Sequence, residues 1–225
     1  MSRAVMSWTG GKDSSLAYYE AEKLGYKIDY LVTFVWDHDP LLAHPLPFIN
    51  LQSQALDVPH LVVEVSEPFA SDYERAIALL KEQRGIGIII TGDICEVAGH
   101  NSNWMVDRAA PSSVEVIRPL WHRDRIQILN KILELGFKVV FSCVKKPWFT
   151  EDWLGKELSR DMITRLVEMN ERSGIDICGE QGEYHTLVLN GPQFKKGIQI
   201  EYSTCAENSL LYLALEKLTL EERIA

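Results

Sequence analysis

The chain has 225 residues, of which 46% are hydrophobic and 24% charged, a composition that supports a packed core and excludes a disordered chain. A formal net charge of −9 opposes indiscriminate binding to nucleic acid or anionic membranes. The N-terminus lacks the apolar run of a signal peptide, no stretch approaches the ~18 apolar residues of a membrane helix, and four dispersed cysteines without a C-x-x-C pair read as reduced thiols in a cytoplasmic protein.

Up to about residue 140, short apolar runs alternate with longer amphipathic segments, the pattern of a parallel sheet covered by helices. Residues 4–7 form the first expected strand. Leu16, Ala17, Ala21 and Leu24 then share one helical stripe, closed by Gly25. Residues 30–35 read as a second strand, 36–47 as a loop rich in His, Asp and Pro, 48–56 as a helix and 61–65 as a third strand. Tyr73, Ala76, Ile77 and Leu80 mark another helix ending at Gly85. The wholly apolar run 86–90 predicts a buried central strand with Thr91, Gly92 and Asp93 at its carboxyl end. Residues 114–117 give a fifth strand and 125–135 a helix, after which the rhythm stops. From Phe141 the chain reads as a tryptophan-rich loop, a helix over 159–171, a Gly/Glu-rich turn, and strands over 186–189 and 197–202.

The strongest local signal is Ser7-Trp8-Thr9-Gly10-Gly11-Lys12-Asp13-Ser14-Ser15, between the first strand and the first helix. Adjacent glycines let the backbone approach phosphate oxygens, and free N–H groups and the helix dipole supply partial positive charge. Thr9, Ser14 and Ser15 add hydroxyls, Lys12 adds a full charge, and Asp13 offers a carboxylate for Mg²⁺. The spacing differs from the Walker loop, which needs four residues between its first glycine and its Gly-Lys. A plain glycine turn with a capped helix is the competing structural reading.

Residues 9–14 resemble the S-G-G-x-D-S loop of the N-type ATP pyrophosphatases, with Thr9 in place of the first serine. The wider chain resembles the diphthine–ammonia ligase family through Thr91-Gly92-Asp93, Pro119-Leu120-Trp121, and Gly179-Glu180-Gln181-Gly182-Glu183-Tyr184-His185-Thr186 followed by Asn190-Gly191-Pro192-Gln193-Phe194. Residues 96–105, EVAGHNSNWM, depart from the Ser-Asp-Tyr-Gln-Arg-like segment usual there and resemble a related prokaryotic branch.

The resemblance implies an adenine nucleotide alpha-hydrolase-like α/β fold: a Rossmann-like five-stranded parallel sheet in an ATP-binding domain over 1–140, and a smaller α+β substrate-binding domain over 141–225. It implies that Thr9, Gly10, Gly11, Lys12, Asp13, Ser14, Ser15, Gly92 and Asp93 bind ATP, with the backbone around Thr33 and Phe34 at the adenine. Asp13 or Asp93 would hold Mg²⁺, and Lys12, Asp13, Asp93, Glu180 and Glu183 would carry catalysis. Glu180, Glu183 and Tyr184 have the chemistry to hold a cationic acceptor such as the trimethylammonium of diphthine, with Gly179, Gly182 and His185 as acceptor-binding candidates beside them. His44 and His100, in loops expected at the strand ends, join them as acceptor-binding candidates. The implied reaction is ATP-dependent amidation of a carboxylate through an acyl-adenylate, with ammonium as nitrogen source and diphthine on elongation factor two as acceptor. A homodimer is compatible with this. The alternatives are a related ATP pyrophosphatase acting in tRNA modification and a non-catalytic adenine nucleotide-binding protein.

Overall fold

A computed structural model describes residues 2–36, 41–96 and 103–222. The chain divides into two compact units: Met1–Thr9, Asp13–Pro40 and Val58–His122 form the first, and Gly10–Lys12, Leu41–Asp57 and Arg123–Ala225 the second.

The first unit is a parallel sheet of β1 (Arg3–Ser7), β2 (Ile28–Trp36), β3 (His60–Val65), β4 (Ile86–Ile90) and β5 (Glu115–Ile117), in the order β3-β2-β1-β4-β5. The sheet is parallel, as the alternation of apolar runs and amphipathic segments predicts, and its order is Rossmann-like, as the resemblance implies. Its helices are α1 (Lys12–Lys23), which begins at the end of the glycine loop, α3 (Phe69–Arg84), and the short α4 (Trp104–Ala109), continued by a 3₁₀ turn over Ala110–Ser112. Val5, Val32, Ile77, Leu80, Ile86, Ile89, Met105, Ala109 and Val114 pack into one core. In register, Ser7 pairs with Val32 of β2, and Met6 with Ile90 of β4, so β1 and β4 stand side by side where the strand order reverses. Ligands of open α/β sheets bind at the carboxyl ends of strands at such a reversal.

The second unit holds an antiparallel sheet of β6 (Lys138–Lys145), β7 (Tyr184–Asn190), β8 (Lys196–Glu207) and β9 (Leu210–Glu222), ordered β7-β6-β9-β8. The βα rhythm does stop after α5 (Arg125–Glu134), but residues 138–145 are a strand where a loop is expected from Phe141. They join a different sheet with antiparallel neighbours. β8 runs five residues past Tyr202 and pairs with β9 in a long hairpin. α6 (Arg160–Ser173) is capped by the Ser159 side chain, which accepts from the Met162 N–H at 3.3 Å, and closes on Gly174 at φ 71°. α2 (Leu46–Leu56) also belongs to this unit and packs on β8 and β9. Trp153 is core here: it is 2% exposed and lies edge-on to Phe141 and Phe149, with ring centroids at 5.1 and 4.9 Å. The four cysteines are free, and no helix of the described residues is long and apolar enough to cross a membrane.

Candidate active site

In the first unit the chain leaves β1 under tight control. The Trp8 N–H donates to the Val32 carbonyl at 2.8 Å, and the Thr33 hydroxyl donates to the Trp8 carbonyl at 2.6 Å. The Thr33 proton being committed, His60 Nε2, 2.8 Å from Thr33 Oγ1, must be the donor of the second bond, which sets its tautomer. Burial lowers the His60 pKa, consistent with a neutral ring. Phe34 stacks on Tyr73 with centroids 4.8 Å apart.

Thr9 and Ser14 then join through their hydroxyls at 3.3 Å across the turn. Ser14 and Ser15 are buried in the first turn of α1. Gly92, just past β4, is in contact with that turn. A Cβ there would stand 2.7 Å from the Ser14 nitrogen and 3.0 Å from the Asp13 carbonyl oxygen, so the close approach of α1 requires glycine. The contact sets Gly92, the residue before Asp93, against the Asp13 backbone. Asp93 accepts from the Asn103 amide at 2.5 Å, while Asn103 Oδ1 caps α4 by accepting from the Val106 N–H at 3.1 Å. Thr91 is buried, with no hydrogen-bond partner for its hydroxyl among the described residues.

In the second unit Gly10 adopts φ 81°, and a Cβ on it would stand 2.4 Å from Gln52 Oε1. The left-handed φ favours glycine there. Its carbonyl accepts from the Gln52 amide at 2.9 Å and from the Val188 N–H at 3.1 Å, and the same amide also donates to the Val188 carbonyl at 2.8 Å. Gln52 is fully buried, four residues after Phe48 and four before Leu56 on the apolar stripe of α2. A glutamine on such a stripe was the available sequence signal for this residue. Gly11 lies where a Cβ would be 3.2 Å from the Thr186 carbonyl oxygen. The Lys12 N–H donates to Thr186 Oγ1 at 3.1 Å. Its ammonium donates to the Cys178 carbonyl at 2.5 Å and sits 5.1 Å from the Tyr184 ring centroid, almost entirely buried. The glycine loop and the tail motif, 166 residues apart in sequence, therefore meet through Lys12.

The tail motif is a self-bonded turn. Glu183, 2% exposed, accepts from the backbone N–H groups of Asp176 at 2.7 Å and Gln181 at 2.9 Å. Asp176 accepts from the Cys178 N–H at 2.7 Å and pairs with Arg125 Nε at 3.2 Å. The Tyr184 hydroxyl donates to the Ile177 carbonyl at 2.6 Å. Gly179 has φ 80° and would place a Cβ 2.7 Å from the Tyr184 carbonyl oxygen. Glu183 thus holds the turn by bonds within it, whereas Glu180 is partly exposed on its surface.

His44 and His185 come together edge-to-face, with ring centroids 5.2 Å apart. Burial, then the neighbouring His185, then Lys12 push the His44 pKa down to about 3. Burial and Lys12 push that of His185 down to about 4, so both imidazoles are neutral near pH 7. Gly182, at φ 79°, lies in the turn three residues before His185. His100 lies outside the described residues. Among the described residues no three His, Cys, Asp or Glu side chains gather as a metal cluster.

Residues 124–217 match the family profile described as the diphthamide synthase C-terminal domain. The chain is 25% identical over 191 residues to a diphthine–ammonia ligase of Mus musculus, covering 82% of this chain and 70% of that protein. The Homo sapiens diphthine–ammonia ligase is 24% identical over the same coverage. That of Schizosaccharomyces pombe is 36% identical over 90 residues, which are 40% of this chain and 15% of its own length. A solved structure described as a predicted subunit of a tRNA methyltransferase from Methanocaldococcus jannaschii aligns over 84% of this chain and 98% of its own, at 17% identity and a TM-score of 0.47.

Proposed function

The chain is related over most of its length to diphthine–ammonia ligases, and from that premise we propose that it is an ATP-dependent ligase which amidates a carboxylate through an acyl-adenylate. The observation that carries this is the junction at Lys12, where one residue of the glycine loop bonds both Thr186 of the tail motif and Cys178, the residue just before it. Nucleotide chemistry and acceptor chemistry are coupled at such a point.

In this proposal residues 1–140 bind ATP and residues 141–225 bind the acceptor, diphthine on elongation factor two. Thr9, Gly10, Gly11, Ser14, Ser15 and Lys12 hold the phosphates by backbone N–H groups, hydroxyls and charge. The backbone at Thr33 and Phe34 meets the adenine, and Gly92 lets α1 approach. Asp13, whose backbone Gly92 abuts, or Asp93, the residue after Gly92, would hold Mg²⁺, which takes one or two carboxylates plus substrate phosphates. When bound, it would neutralise charge building on the pyrophosphate. An oxygen of the acceptor carboxylate attacks the α-phosphorus and pyrophosphate departs. Ammonia then attacks the acyl carbon, AMP leaves with the C–O electron pair, and one proton is lost.

Glu180, partly exposed on the turn, faces the acceptor's cationic group in this scheme, while Glu183 and the two glycines keep the turn in shape, and Tyr184, buried with the Lys12 ammonium over its ring, backs it. Free cysteines fit a reducing cytoplasm.

The test is to incubate the pure protein with Mg-ATP, ammonium and a diphthine-bearing acceptor, and to identify the products. AMP, pyrophosphate and amide in equal amounts are expected. ADP as the nucleotide product, or bound but unconverted ATP, would contradict the proposal.

A further inference from the structure

We propose that His44 and His185 form a binding site for neutral ammonia, one that discriminates against the ammonium cation. The role of that ammonia as nitrogen donor rests on the ligase function proposed above. The site itself stands on geometry within the second unit.

The His44 ring is carried on a fixed segment. Its backbone N–H donates to the Leu41 carbonyl at 2.9 Å, and the preceding Ala43 carbonyl accepts from the hydroxyl of Ser142, 1% exposed, also at 2.9 Å. The ring meets His185 nearly at right angles, 87°. Its Cε1 lies 3.3 Å from where a Gly11 Cβ would stand, so it also abuts the glycine loop. In this position His44 Nδ1 is buried without a hydrogen-bond partner among the described residues. An unsatisfied buried polar atom costs about 1–3 kcal/mol, and a small polar ligand would recover it.

The surroundings select the ligand. A neutral imidazole offers one N–H and one lone pair. Ammonia carries both a lone pair and N–H donors, so it satisfies Nδ1 in either tautomer, whereas ammonium can only donate. Among the described residues, the titratable groups beside the pair include Lys12, Tyr184 next to His185 on β7, and Cys143, the register partner of His185 on β6. Lys12 is the cation of this set, and its charge opposes a second one in a partly buried place. Burial and Lys12 keep both rings unprotonated, so their lone pairs persist at working pH. Neutral ammonia is also the form that attacks an acyl carbon, since ammonium has no electron pair to give.

The experiment is a titration of the full chain, carrying ¹⁵N-labelled histidine, with ammonium chloride and, as control, potassium chloride at pH 6.5, 7.5 and 8.5. His44 signals, assigned by their loss in His44→Gln, should shift with ammonium chloride only. The total concentration at half-shift should fall about tenfold per pH unit, following the neutral fraction of an amine well below its pKa. No shift, an equal shift with potassium chloride, or a midpoint independent of pH would overturn the proposal. In turnover assays His44→Gln should raise KM for ammonium at least about tenfold and KM for ATP less than about twofold; equal increases would count against it. The titration needs no acceptor, so a pH-tracking shift in a protein that makes no AMP would sink the ligase function and leave the ammonia site standing.

Discussion

Glu183 and Glu180 stand three residues apart in one turn and have different work. The Glu183 carboxylate accepts two backbone N–H bonds, and glutamine in its place keeps one acceptor oxygen but turns an NH₂ toward the other donor. Glu183→Gln should therefore destabilise the protein by about 2 kcal/mol, a fall in Tm of roughly 4–8 °C. Glu180→Gln, at a partly exposed position, should move Tm by less than half as much and act instead on amide formation. Thermal melts of the two variants beside product assays check this; a larger melting loss in Glu180→Gln would reverse the assignment. In the sequence the two glutamates look alike, each preceded by a glycine, because the donors facing Glu183 are backbone groups that carry no residue signature. His44 and His185 are likewise 141 positions apart, and only the fold makes them a pair.

At the scale of elements, what was legible followed local chemistry. The first strand, the glycine loop, the α1 stripe and the apolar run of β4 announce themselves by composition and stop signals, and each appears within a residue or two of its expected place. β6 and β9 did not. β6 carries an apolar run directly after α5, yet its antiparallel partners lie 40 and more residues further on. β9, Leu210–Glu222, is built largely of Leu, Glu, Lys and Ala, good helix formers. Pairing along nearly the whole of β8 overrides that preference. The junction of Gly92 with the start of α1 is an element-scale contact open to test. Gly92→Ala places a methyl 2.7 Å from the Ser14 nitrogen, with backbone on the other side, and should cost about 1–3 kcal/mol. If that approach shapes the phosphate site, ATP affinity measured by calorimetry should fall at least about tenfold. Unchanged ATP affinity in a destabilised protein would make Gly92 a packing residue alone.

For the whole molecule, two neutral histidines set a pH dependence of stability. Their folded pKa values, about 3 and about 4, lie below the ~6.5 of an unfolded histidine, so the unfolded chain binds more protons as pH falls through 6.5. Stability contributed by the pair is complete above pH ~6.5 and is lost toward pH 4, by up to ~1.4 kcal/mol per pH unit for each ring. Urea denaturation at pH 7, 6 and 5 should show this slope in the wild type and a much flatter one in a His44→Gln/His185→Gln variant. Equal slopes would mean that the rings titrate normally. The central claim, activation of a carboxylate by adenylation, is tested most directly by an isotope. With acceptor carboxylate labelled in both oxygens with ¹⁸O, acyl-adenylate chemistry predicts one labelled oxygen in each AMP released, and amide that keeps the other. AMP without label, or label found in inorganic phosphate beside ADP, would contradict it.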